Sequence, residues 1–319
     1  MKIDMCMLEE FGVCLPKGVC AVATDRGIAK ALLPKRWRNS HKGNYGRAAI
    51  VAGSVEYTGA AYLSAAACLR SGAGYTVLFT PSDILPWYAL KVPEILLKQT
   101  NEGGRYAFNE DTMAQLLSYD SIAYGMGMGA SREVFKGAEY LLTHYEGKLI
   151  LDADGLNSLA QFAGEGLETL FKNSKCDVIV TPHGKEFSRL TRLRVDEVLK
   201  NGAEIAMRFA KACEVNVLLK NALSLITDGE RLALNLTGNS GQAKGGSGDV
   251  LSGVLAGLCA GGLTALEGGI LGAYLVGKAA ELAAVDFTEY SLTASELIAY
   301  LPRAFLFVTE NANKDGGEQ

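Results

Sequence analysis

An α/β fold with a mostly parallel central sheet and an antiparallel hairpin near its C-terminal side is what this sequence predicts. Three observations carry that reading. From about Arg47, short β-rich runs alternate with stretches of helical periodicity. Several of the β-rich runs are continuously apolar, as expected for strands covered on both faces. After Lys220 the rhythm changes to two short runs flanking an Asp228–Gly229 pair, a hairpin signal.

Taken in order, AAIVAG (48–53) reads as a strand and GAAYLSAAACLRSG (59–72) as a helix with small residues on one face. YTVLFTP (75–81), SIAYG (121–125), KLILDADG (148–155), CDVIVTP (176–182) and VNVLLK (215–220) continue the strand series. Between them, EVFKGAEYLLTHY (133–145) and VDEVLKNGAEIAMRFAKACE (195–214) have helical periodicity. ALSLITDGERLALNL (222–236) is the hairpin; a glycine-rich loop and two helices rich in Ala and Gly follow it. Residues 1–40 read as an extended lead-in or connector, 41–310 as one domain, and 311–319 as a polar, frayed tail.

Composition narrows the function classes. The 319 residues are 49% hydrophobic and 21% charged, with a net charge of −4. That is globular composition, with no overall electrostatic reason to expect nucleic acid or an anionic membrane as partner. The seven cysteines are odd in number and show no CxxC spacing, and only three histidines exist. This suggests neither a disulfide framework nor a zinc site, and reduced thiols fit a cytoplasmic protein. The start of the chain does not read as a signal peptide. The weakly polar stretch 250–284 is broken by glycines, Glu267, Lys278 and Glu281, which argues against a membrane span.

In open α/β sheets ligands sit outside the carboxyl ends of the strands. Gly53–Ser54, Gly125–Gly127–Gly129, Asp152–Asp154, Thr181–His183 and Lys220 all directly follow predicted strands. Five strand ends converging on polar or glycine-rich residues form a site hypothesis stronger than any one motif.

The stretch GQAKGGSGDVLSG (241–253) carries five glycines in thirteen residues, one carboxylate, and then a helical pattern. A phosphate-binding P-loop requires lysine after its last glycine, whereas Lys244 precedes Gly246. The GMGMGA run (125–130) misses dinucleotide-fingerprint spacing by one residue, although Asp152 keeps a dehydrogenase alternative open. What remains is a flexible surface loop or an anion cradle at a helix N-terminus, where the amides of Gly246, Ser247, Gly248 and Asp249 lack intrahelical partners. Side chains there would keep a phosphoryl group from the amides. Asp249 is either a first-turn acid favoured by the helix dipole or a general base that takes a hydroxyl proton as the oxygen attacks phosphorus.

GGSGDVLSG resembles the GxGD anion-hole signature of the ribokinase-like superfamily, which implies a three-layer sandwich. HKGNYGRAAIVAGS (41–54), YTGAA (57–61), SGAGYTVLF (71–79), Pro93–Glu94, LDADGLN (151–157), TPHGKEF (181–187) and GNSGQAKGGSGDVLSG (238–253) occur in one order. That set is similar to the ADP/ATP-dependent NAD(P)H-hydrate dehydratases. The resemblance runs from about Leu33 to the last helix.

The resemblance implies a repair enzyme that removes water from the S epimer of NADH or NADPH hydrate, using ADP or ATP with Mg²⁺. The hydrate's hydroxyl is phosphorylated and phosphate then leaves. Asp249 would activate the hydroxyl, and Gly246, Ser247 and Gly248 would hold the transferring group. Ala60, Gly127, His183 and Asp249 match positions that contact the hydrate. Lys220, Asn221, Ala222, Leu223 and Ser224, with Gly248, match nucleotide contacts; no metal ligands are indicated. The family further implies a homotetramer and, as functional partner, an NAD(P)H-hydrate epimerase. With only about 40 residues ahead of the motif block, a stand-alone dehydratase or one half of a fusion is expected, FGVCLPKG (11–18) and DRGIAKALLPKR (25–36) resembling the connector of fused members.

Departures from the family pattern are Asn221 for glycine, Ser224 for threonine, Gly184–Lys185 where Pro–Gly is common, GMGMG for GPGLG, and Val276 where histidine is frequent. They bear on nucleotide preference and leave the proposed catalytic groups in place. Other readings stay open: His183, Asp152 and Asp154 as caps or loop residues, Asn157 as a loop orienter, Lys42 as a phosphate contact or solvated charge. The stripe Gly253, Ala256, Gly257 and Ala260 reads as close helix packing. For the whole chain, the alternatives are a vitamin or sugar kinase of the same fold, a non-catalytic nucleotide binder and a dehydrogenase.

Overall fold

A computed structural model describes residues 15–16 and 19–310. Cys6, Cys14, most of the segment 11–18 and the tail from Asn311 lie outside the described residues.

The strands are β1 (Ala21–Thr24), β2 (Arg47–Val51), β3 (Tyr75–Thr80), β4 (Leu96–Gln99), β5 (Ser121–Tyr124), β6 (Lys148–Leu151), β7 (Asp177–Val180), β8 (Asn216–Leu219), β9 (Ser224–Thr227) and β10 (Leu232–Asn235). They form one ten-stranded sheet in the order β1-β10-β9-β8-β7-β6-β5-β2-β3-β4. β9 runs antiparallel to both β8 and β10, while the other pairings are parallel.

Alternation along each strand explains the continuous apolar runs. Successive side chains point to opposite faces, and here both faces are covered. Ile50, Ala123, Ile150, Ile179 and Leu218 enter one core, and Val51, Ile122, Leu149, Leu151, Val180 and Val217 enter the other. The first core is closed by the helices Thr58–Leu69, Ser247–Ala260, Ala265–Ser291 and Ala294–Thr309, and the second by Arg132–His144, Ala153–Phe162, Gly184–Thr191 and Gly202–Cys213 among others. The result is the ribokinase-like three-layer sandwich.

The small-residue stripe does pack closely. A Cβ on Gly253 would lie 2.0 Å from the Ser64 carbonyl oxygen, and one on Gly257 would lie 2.7 Å from that of Cys68. Helix Ser247–Ala260 therefore rests backbone to backbone on helix Thr58–Leu69, and Ser121 Oγ donates to its Ala256 carbonyl at 2.7 Å. These contacts fix its N-terminus at the carboxyl ends of β5 to β8.

The structure also adds to and corrects the expected elements. The lead-in is not wholly irregular: β1 extends the sheet by pairing with β10, and Asp25 Oδ1 accepts from the Ile28 amide at 2.9 Å to cap the helix Arg26–Leu32. Four apolar-leaning residues are too short a run to register as a strand, which also hides β4. The 195–214 helix is two, Val195–Lys200 and Gly202–Cys213, because the chain turns at Asn201–Gly202. The two helices rich in Ala and Gly follow the glycine loop as expected, and a third, Ala294–Thr309, comes after them. The hairpin turn is as expected, with Gly229 at φ +94° and Asp228 Oδ1 accepting from the amides of Glu230 and Arg231. Among the described residues, no helix is long and apolar enough to cross a membrane.

Candidate active site

Gly246, at φ +96°, turns the chain into the helix Ser247–Ala260. The Ser247 amide reaches the Lys244 carbonyl only at 3.5 Å, and the first firm helical bond is Val250 N–H to Gly246 O at 3.0 Å. Within the described residues the amides of Gly246, Gly248 and Asp249 meet no acceptor, so of the four amides expected in the cradle only that of Ser247 has a partner, and a distant one. Lys244 faces away: its Nζ donates to the carbonyls of Tyr290 and Leu292 at 2.6 and 2.7 Å. It anchors the loop to the C-terminal end of the helix Ala265–Ser291 and takes no P-loop role.

The cradle's cation comes from the residue that follows β8. Lys220 Nζ lies 2.7 Å from Asp152 Oδ1 and would be 3.3 Å from a Cβ on Gly248. Burial works against its charge, but Asp152, Glu186 and Asp249 outweigh this and hold its pKa above the ordinary value. Asp152 is 1% exposed. It caps the helix Ala153–Phe162 through Ala153 N–H at 2.8 Å, and its Oδ2 accepts from Ser252 Oγ at 2.6 Å. Reading Asp152 as an ordinary cap was incomplete: the cap is real, and the same carboxylate ties β6, β8 and the cradle helix together.

Asp249, one position past Gly248, is half-buried. Burial raises its pKa from 3.8 to about 7, with Asp152, Asp154 and Glu186 adding to the effect and Lys220 opposing it. A carboxyl group poised near neutrality beside free amides and a lysine suits general base work.

The glycine loop after β5 forms the opposite wall. Gly125, Gly127 and Gly129 have φ of +119°, +62° and +77°. Asp154 Oδ2 holds the Gly129 amide at 2.8 Å, and Asp154 N–H donates to Gly125 O at 3.1 Å. A Cβ on Gly127 would sit 2.7 Å from the Ala60 Cβ, so these two positions are brought together at the start of helix Thr58–Leu69. His183 caps the helix Gly184–Thr191: its Nδ1 accepts from the amides of Lys185 and Glu186 at 3.1 and 3.4 Å. Nε2 lies 3.1 Å from Glu186 Oε1. That pattern assigns the proton to Nε2 and leaves the ring no spare nitrogen for proton transfer. Burial pushes the Glu186 carboxyl up, but the His183 hydrogen bonds and Lys220 more than offset this, holding it below its usual range.

Asn221 and Ala222 are exposed, with Asn221 Oδ1 accepting from the Ala222 amide at 2.9 Å; Ser224 starts β9 and Leu223 is buried in the core. Val276 is also buried, 3% exposed. Lys42 Nζ sits 4.7 Å from the centre of the Tyr75 ring. Ser252, unnoticed in the sequence, belongs to the site; its place one turn after Gly248 on an apolar helix was the available signal. Among the described residues no group of three or more His, Cys, Asp or Glu side chains converges as a metal cage, and both oxygens of Asp152 are engaged. The side chains therefore do not fit an all-protein Mg²⁺ site; a hard cation arriving with nucleotide phosphates would keep phosphate and water ligands.

The model of a family described as NAD(P)H-hydrate dehydratase matches residues 48–303. The chain is 36% identical over 284 residues to the bifunctional NAD(P)H-hydrate repair enzyme of Thermofilum pendens, covering 88% of this chain and 53% of that protein. It is 34% identical over 279 residues to the ADP-dependent (S)-NAD(P)H-hydrate dehydratase of Bacillus subtilis, covering 86% and 95%. The chain thus spans about half the length of the bifunctional relative and nearly all of the single-function one. A crystal structure of the ADP/ATP-dependent NAD(P)H-hydrate dehydratase from Bacillus subtilis, co-crystallised with ATP/Mg²⁺, superposes with a TM-score of 0.79 at 30% identity, covering 92% of this chain and all of that one.

Proposed function

The chain belongs to the NAD(P)H-hydrate dehydratase family, and on that premise we propose that it restores NADH and NADPH from their S hydrates at the expense of ADP or ATP. The observation that carries the proposal is Asp249, half-buried at the lip of an open amide cradle, with a pKa of about 7 and within the field of the Asp152-paired Lys220.

The residues divide the work as follows. Asp249 accepts the proton of the hydrate hydroxyl as its oxygen attacks the terminal phosphorus and the bond to the nucleotide leaving oxygen breaks. The amides of Gly248 and Asp249, turned by Gly246 and Ser247, hold the transferring group with Lys220, whose charge Asp152 keeps in place. The ring carbon–oxygen bond then breaks, phosphate departs with its electron pair, and loss of a ring proton re-forms the double bond. Lys220 to Ser224 with Gly248 hold the nucleotide; Ala60 and Gly127 contact the hydrate, and His183 shapes its wall. Mg²⁺, when bound, supplies charge neutralisation on the nucleotide phosphates. Cytoplasmic residence, a homotetramer and a partner epimerase follow from the family resemblance.

Incubation with purified NADPH hydrate and ADP or ATP tests the reading. It predicts recovery of reduced-nicotinamide absorbance with one phosphate released per turnover. Accumulation of a stable phosphoester on an alcohol, with no recovered absorbance, would make the chain a small-molecule kinase instead.

A further inference from the structure

Resting on the dehydratase reading, we propose that the cleft between helices Ala153–Phe162 and Gly184–Thr191 receives the phosphate-bearing adenosine end of the hydrated dinucleotide. Arg189 then makes the enzyme favour the form that carries a 2′-phosphate.

The cleft has a volume of about 560 Å³ and is lined by Ala130, Asn157, Ala160, Gln161 and Arg189, within the usual size range of small-molecule sites. Its lining adjoins two elements of the site, the glycine loop after β5 and the helix capped by Asp152. Ala130 follows Gly129, whose amide Asp154 holds. Asn157 lies five residues along the helix that Asp152 caps, roughly 7.5 Å at 1.5 Å per residue. A dinucleotide with its nicotinamide at Asp249 must lay its remaining length on the surface, and this cleft continues the glycine-loop wall. The segment Lys220–Ser224 instead leaves β8 and turns into β9, towards the other flank of the sheet.

The lining chemistry fits phosphate. Arg189 is exposed; its side-chain partner is the neutral Asn157, Nη1 donating to Oδ1 at 2.8 Å, and among the described residues no carboxylate pairs with it. No acidic side chain lines the cleft. Asn157 thus steadies one arm of the guanidinium and leaves the rest of the planar fork for a phosphate. An arginine is the usual accommodation for the 2′-phosphate that separates NADP from NAD. The sequence motif LDADGLN gains a use for its last residue.

The test is steady-state kinetics of the full chain and its Arg189→Ala and Arg189→Lys variants with the purified hydrates of NADPH and NADH at saturating ADP, and with ADP at saturating hydrate. The expected result for Arg189→Ala is a KM for NADPH hydrate raised about tenfold, or ~1.4 kcal/mol. The KM for NADH hydrate should rise less than threefold, with kcat, the KM for ADP and the thermal midpoint unchanged; Arg189→Lys should fall between. Equal changes for the two hydrates would overturn the 2′-phosphate assignment, and a raised KM for ADP alone would give the cleft to the nucleotide. If the wild-type chain restores neither cofactor, the dehydratase reading itself has failed; if it restores both and Arg189→Ala is indistinguishable from it, only this inference has failed.

Discussion

The Gly125–Gly129 loop and the Gly245–Gly248 turn bring backbone up to the same carboxylates, but a methyl group added to each would meet different things. At Gly125 it would lie 2.2 Å from the Asp152 carbonyl oxygen and 2.5 Å from the Gly155 amide nitrogen, at a φ of +119°. At Gly248 the nearest atoms would be Lys220 Nζ at 3.3 Å and Asp152 Oδ2 at 3.8 Å, with ordinary helical backbone. The first glycine is demanded by the protein's own chain. The second is spare as far as the fold is concerned, and what it leaves clear is the approach to the cradle. One cluster builds the site; the other keeps it open.

Substitutions should separate the two. Gly125→Ala forces both a clash with backbone and an unfavourable φ, so it should destabilise by ~3 kcal/mol or more. Thermal melting would show this as a fall in midpoint of about 6–12 °C at the scale for domains of this order of size, with activity lost alongside. Gly248→Ala should melt within a degree or two of wild type while kcat/KM for hydrate falls about 100-fold, the scale of losing an oxyanion-hole donor. A stable, fully active Gly248→Ala protein would erase the distinction.

A smaller effect sharpens it on the electrostatic side. Asp249 works as a base only when ionised, and its pKa of about 7 means kcat/KM should fall tenfold per pH unit below 7 and level off above it. The groups facing it are Asp152, Asp154, Glu186 and Lys220. Asp152→Asn removes a negative charge and leaves Lys220 less neutralised, so the acid limb should move to lower pH, by about one unit; a pH–rate profile that stays put would contradict the coupling. The stability sign is opposite to that of a salt-bridged acid. A carboxyl group whose pKa is raised in the folded state loses stability as pH rises from its unfolded value through about 7.

Much of the fold was legible because both faces of the sheet are covered, which turns β5, β6 and β7 into short apolar runs such as SIAYG and CDVIVTP. β1 and β4 escaped because four residues on or near a sheet edge, AVAT and LLKQ, carry no such run. At the site, the cradle and Asp249 were readable from glycine spacing and position. The Asp152–Lys220–Ser252 link was not, since it joins residues 68 and 100 positions apart in sequence, which local pattern cannot register. His183 was readable as a cap, and only the structure shows that its second nitrogen is engaged by Glu186 as well.

The most direct measurement is turnover of NADPH hydrate by Asp249→Asn, at saturating ADP or ATP and pH 8, beside a melting curve at the same pH. A side chain of the same shape that takes up no proton should cut kcat by about 10³-fold. Its melting midpoint should equal or exceed that of wild type, because a carboxylate disfavoured in the fold has been removed. Turnover within tenfold of wild type from the folded variant would contradict the assignment of Asp249 as the base.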